Sequence, residues 1–102
     1  MAAKANQSDA AGRLERLVRD RGDYAHVTVR AQGAHLVVEV DDGSGTKDPT
    51  ARATSLGGGL YGVSFRSHTG RWEPVPIQGS LEDVAEALTV DFGPYLDRGN
   101  LA

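Results

Sequence analysis

Residues 25–40 constrain the fold more than any other stretch, because apolar and polar side chains alternate twice there around a single glycine. Successive side chains of a strand point to opposite faces, so a two-residue period specifies two half-buried strands. Gln32-Gly33 supplies a two-residue turn with glycine at a position of positive φ, which joins residues 25–31 to residues 34–40 as a hairpin. With that turn Val29 faces Leu36 and Val27 faces Val38, on one face with Val40. The opposite face pairs His26 with Glu39, Thr28 with Val37 and Arg30 with His35. Both strands offer the same inward set in one register.

Further strands follow. Residues 41–50 have the composition of a flexible loop. Residues 50–56 form a third strand and turn at Gly57-Gly58-Gly59. In the fourth strand, residues 60–67, Tyr61, Val63 and Phe65 alternate with Gly62, Ser64 and Arg66. A turn at Thr69-Gly70, next to His68, leads into a fifth strand over residues 71–77. Pro74 and Pro76 cannot donate to a sheet ladder and place that strand at an edge.

A helix stands at each end. Residues 1–8 are small and polar and are expected to be disordered, and Ser8 or Asp9 caps a first helix. Ala10, Leu14, Leu17 and Val18 mark its buried stripe, and Arg21-Gly22 ends it. Its exposed face carries Arg13, Arg16 and Arg19. Ser80 caps the second helix, with Glu82 and Asp83 in the first turn at the positive end of the helix dipole. Leu81, Val84, Ala85, Leu88 and Phe92 are its buried face, Gly93-Pro94 stops it, and Tyr95 and Leu96 return to the core. The expected fold class is α+β: an antiparallel sheet of four to five strands with the N-terminal and C-terminal helices packed on one face, in the order α-β-β-β-β-β-α. The expected division is a single domain over residues 9–98, with residues 99–102 as a tail.

Composition narrows the chemistry. The chain has no cysteine, which excludes disulfides, zinc–thiolate sites and thiol nucleophiles. No secretory core or run of about 18 apolar residues occurs, so the expected compartment is cytoplasmic, with no membrane partner. A formal charge of −3 opposes nonspecific attraction to nucleic acid or anionic lipid without forbidding a local basic patch. Gly43-Ser44-Gly45-Thr46-Lys47 lacks the phosphate-loop order, since Asp48-Pro49 follows the lysine. No Gly-x-Ser-x-Gly elbow is present. Asp41, Asp42 and Asp48 lack calcium-loop spacing, and the three histidines do not converge on a metal. No cofactor or metal is expected, and no nucleophile, base and stabiliser can be named together, so the expected role is non-enzymatic.

What remains is the polar side of the sheet, where His26, Arg30, His35, Arg52 or its neighbours, Arg66, Arg71 and Trp72 are the candidate binding residues. Arginines beside a flat ring suit single-stranded nucleic acid; the bland alternative is Trp72 as a packing residue with Arg66 stacked on it or paired with Glu73. The segment carrying Val63-Ser64-Phe65-Arg66, Glu73-Pro74 and Gly79-Ser80-Leu81 also resembles the C-terminal part of the positive cofactor four type of single-strand DNA-binding fold. That resemblance covers about a quarter of the chain and lacks the lysine-rich motifs of that fold. The leading expectation is a binding or protein-interaction module with a protein partner or self-association, using the polar sheet face or its exposed strand edge. The acidic second helix is read as a solvated face that could also meet the arginine-bearing first helix of another copy. The alternative is a single-stranded nucleic-acid binder.

Overall fold

The computed structural model describes residues 2–22, 24–41, 43–67 and 69–91. Along the chain come α1 (Ala2–Arg19), β1 (Val27–Gln32), β2 (His35–Asp41), β3 (Lys47–Gly57), β4 (Leu60–Arg66), β5 (Trp72–Gly79) and α2 (Leu81–Glu86). A π-helical turn, Ala87–Asp91, continues α2. The five strands form one antiparallel sheet in sequence order, so every connection is local. This is the expected α+β order. Phe92, Gly93-Pro94, Tyr95, Leu96, Asp42 and His68 lie outside the described residues.

The core lies between one sheet face and the two helices. Leu14 and Val18 of α1 and Val84 and Leu88 of the C-terminal helical segment meet Val27, Leu36, Val38, Val40, Ala53 and Val63. Each fully buried aliphatic side chain contributes about 1.5–3 kcal/mol relative to exposure. Ala51 and Ala53, at the centre of the sheet, are fully buried in this core.

The hairpin register differs from the expected one by two residues. Val27 stands opposite Val40, Val29 opposite Val38 and Arg30 opposite Val37, because the chain turns at Gly33-Ala34. Gly33 has φ +59° and Ala34 has no positive φ, which is the pattern of a type II′ turn with glycine in first place. A two-residue shift returns every side chain to its expected face, whereas a slip of one would invert them all. The expected pairs His26–Glu39, Thr28–Val37 and Arg30–His35 therefore give way to Thr28–Glu39, Arg30–Val37 and Gln32–His35.

Two further boundaries move. α1 begins at Ala2 rather than at a Ser8 or Asp9 cap, since the alanines, Lys4 and Gln7 ahead of it favour helix. β3 begins at Lys47, so much of the expected 41–50 loop is strand. Pro49 is accommodated there opposite Glu39, where β2 and β3 shift register and before β4 joins at Ala51.

Both sheet edges are blunted. On β1, the Val29 N–H donates to Glu15 Oε1 at 2.8 Å and Arg19 Nε donates to the Val27 carbonyl at 3.0 Å. Glu15 and Arg19 are themselves paired at 3.7 Å, one turn apart on α1. The helix thus occupies backbone groups that another strand would need. On β5, Pro74 and Pro76 remove two backbone donors from the other edge strand, as the sequence leads one to expect.

A capping box starts α2. Ser80 Oγ accepts from the Asp83 N–H at 3.2 Å, and Asp83 Oδ2 accepts from the Ser80 N–H at 3.1 Å. Residue 79 must be glycine for this, because a Cβ there would lie 2.6 Å from Asp83 Oδ2 and 2.7 Å from Asp83 Cβ. Arg13 of α1 pairs with Glu82 of α2 within one chain. The acidic helix thus has its arginine partner without a second copy.

Two outcomes follow for stability. Glu15→Ala leaves the Val29 N–H without its acceptor and should lower unfolding free energy by about 1–2 kcal/mol in a denaturant titration, with faster Val29 amide exchange. Unchanged exchange at Val29 would show that the edge is not held by Glu15. Gly79→Ala should cost at least as much as Ser80→Ala, itself about 1 kcal/mol, because it displaces the whole capping box.

Candidate anion-binding site on the outer sheet face

The sheet face turned away from the helices carries Arg30, Val37, Arg52, Ser64 and Pro74 as one cross-strand row. Gln32, His35, Thr54, Gly62 and Gln78 form the next row on one side. On the other side Arg66 stands opposite Trp72. A shallow groove of about 320 Å³ runs across this face, lined by Arg30, Gln32, His35, Val37, Pro49, Arg52, Arg66 and Trp72. Val37, which lines it, is only 4% exposed although it stands outside the cluster beneath the helices. Neighbouring strands lie about 4.8 Å apart, so Arg30 and Arg52 flank Val37 from one strand away on either side.

Trp72 organises the cationic wall. The Arg52 guanidinium carbon stands 4.6 Å from the indole ring centroid and that of Arg66 stands 5.7 Å from it. Both fall within the range in which a ring's negative face attracts a cation. A guanidinium stacked by its flat face keeps in-plane N–H donors at its rim. Among the described residues neither Arg52 nor Arg66 has a carboxylate within salt-bridge distance. Arg30 differs: its Nε donates to Glu39 Oε2 at 3.0 Å and its Nη1 to Gln32 Oε1 at 3.0 Å.

Two buried side-chain atoms without a hydrogen-bond partner among the described residues, Thr28 Oγ1 and Arg52 Nε, both belong to this outer face. Leaving a buried donor unpaired costs about 1–3 kcal/mol, against which Arg52 has its contact with the Trp72 ring. His35 Nδ1 lies 2.8 Å from Thr54 Oγ1. Burial first, and then the nearby Arg52 charge, push the His35 imidazole below its ordinary value of 6.5. The hydroxyl–imidazole contact resembles a nucleophile and base, but no carboxylate orients the ring among the described residues, and Glu39 is engaged by Arg30.

Of the residues singled out from sequence, Arg30, His35, Arg52, Arg66 and Trp72 come together in the groove. His26 does not: it precedes β1, with its ring 6.3 Å from that of Tyr24. Arg71 also lies off the groove, in the β4–β5 turn, where its backbone N–H donates to Ser67 Oγ and its carbonyl accepts from the Ser67 N–H. Trp72 is half-buried on the outer face and takes no part in the core; Arg66 stacks on it. Sequence reasoning missed Gln32, Val37, Pro49 and Thr54. Val37 carried a signal, being an aliphatic side chain at an outward position of an otherwise clean alternation. Thr54 carried none, since its contact with His35 depends on the β2–β3 register. The described residues hold no cluster of three or more potential metal ligands and no helix long and apolar enough to cross a membrane.

The His35 shift fixes a pH response. A depressed pKa means that the folded state takes up a proton less readily than the unfolded one, so stability is full above 6.5 and falls as pH drops below it toward the folded value. NMR titration should place His35 below 6.5 and move it upward in Arg52→Gln, though not fully, since burial remains; a value at or above 6.5 in the parent chain would contradict this environment. Comparison of the chain with protein-family models, curated proteins and solved structures finds no match.

Proposed function

We propose that this domain is a non-catalytic binding module whose working surface is the outer sheet face, where Arg52 and Arg66 recognise an anionic group. One observation carries the reading: two guanidiniums held over one indole, without carboxylate partners among the described residues, at the wall of a groove. Arginines that serve stability alone normally pair with acids or extend into water. Here Trp72 holds them in place before a ligand arrives, which reduces the ordering cost of binding. Both sheet edges are guarded, by Glu15 and Arg19 on one side and by two prolines on the other, so strand addition is the less favoured mode of interaction. The face is the route that stays open.

Single-stranded nucleic acid is the second reading, and the Arg–Trp combination favours it. Against it, the indole that would stack a base is already covered by guanidinium groups, and a chain of formal charge −3 offers little path for a phosphate backbone.

Trp72 is the only tryptophan in the chain, so its indole N–H gives a single NMR peak that reports on the groove. Titration with inorganic phosphate or sulfate at low salt should shift that peak. Arg52→Ala or Arg66→Ala should weaken binding about tenfold or more, the value of one charge-assisted hydrogen bond. An indole peak that no anion moves would remove the proposal.

A further inference from the structure

We infer that the groove is built for a phosphomonoester: one doubly charged phosphoryl group on a small organic body. The inference rests on the anion-recognition reading and sharpens it. Three arginines line the groove, Glu39 neutralises Arg30 at 3.0 Å, and among the described residues two positive charges are left on Arg52 and Arg66. His35, beside Arg52 and hydrogen-bonded to Thr54, adds no charge near neutral pH. A net charge of +2 is balanced by a dianion, and a phosphomonoester is largely dianionic above its second pKa of about 6.

Geometry points the same way. Each guanidinium is a planar fork of N–H donors, and two forks together need more acceptor oxygens than the two of a single carboxylate. A terminal phosphoryl group offers three. A phosphodiester gives two free oxygens and one charge, and so leaves one fork underused. The groove of about 320 Å³ accommodates one phosphoryl group with a modest attached body, for which half-buried Pro49 offers an apolar contact. An extended polyanion would leave the groove for a surface whose formal charge is negative overall.

The test uses the full chain at pH 7.5 and low salt, following the Trp72 indole N–H by NMR. Three matched probes are titrated: phenyl phosphate, methyl phenyl phosphate and benzoate; a short oligothymidylate is the fourth arm. Phenyl phosphate should bind about tenfold or more tightly than methyl phenyl phosphate or benzoate, the step expected for one charge-assisted contact. That preference should vanish in Arg52→Ala and in Arg66→Ala, with the dispersed amide spectrum serving as the folding control. Arg52→Lys keeps the charge and loses the fork, so it should retain only part of the preference. Equal binding of monoester and diester, or tighter binding of benzoate, overturns the phosphomonoester inference and leaves the anion site standing. Tighter binding of oligothymidylate per phosphate overturns it in favour of nucleic acid. Failure of every probe to move the indole peak overturns both.

Discussion

The burial of one apolar sheet face under α1 and α2 is the constraint on which the rest of the structure depends. The two-residue period of the strands sends Val27, Val29, Leu36, Val38 and Val40 to that face, where Leu14, Val18, Val84 and Leu88 cover them. A chain of this size without cysteine has little else to hold it together, since small domains bury a limited share of their surface. Once those positions are committed to the core, their neighbours in sequence must face the other way. The outer face is thus a direct by-product of core formation, and its residues are free to be chosen for something other than packing.

Polar side chains are held in different ways on the two faces. On the core side, polar groups are engaged: Glu15 and Arg19 meet the β1 backbone, Arg13 meets Glu82, and Ser80 and Asp83 cap each other. On the outer side, Arg52 and Arg66 share a ring but lack acids, and Arg52 Nε and Thr28 Oγ1 are buried without partners among the described residues. The outer face also carries engaged groups, Arg30 with Glu39 and Gln32 and His35 with Thr54, so it is the cluster of Arg52, Arg66 and Trp72 that stands apart within it.

Edge protection adds to the same picture. A five-stranded open sheet has two edges, each a template for unwanted pairing. Here one edge is occupied by helix side chains and the other is depleted of donors by proline. The Arg13–Glu82 pair likewise turns inward a charge complementarity that would otherwise suit a second copy.

Much of this was legible in the sequence because local signals agreed with the global fold. Alternation gave the inward set, Ser80 marked the second helix, and Pro74 and Pro76 marked the edge strand. The hairpin register was not legible: Gln32-Gly33 and Gly33-Ala34 are both acceptable turns, and both keep Val27, Val29 and Val38 inward, so face alternation cannot choose between them. The sequence alone therefore determined which residues share a face, since that follows from the strand period. Only the tertiary structure decided which of them meet. Arg52, Arg66 and Trp72 belong to three different strands, and their convergence depends on registers set by turns and bulges. His26 and Arg71, equally plausible on composition, fall outside the groove: each stands one residue before its strand begins, and Arg71, next to Trp72 in sequence, falls on the opposite side of the strand period.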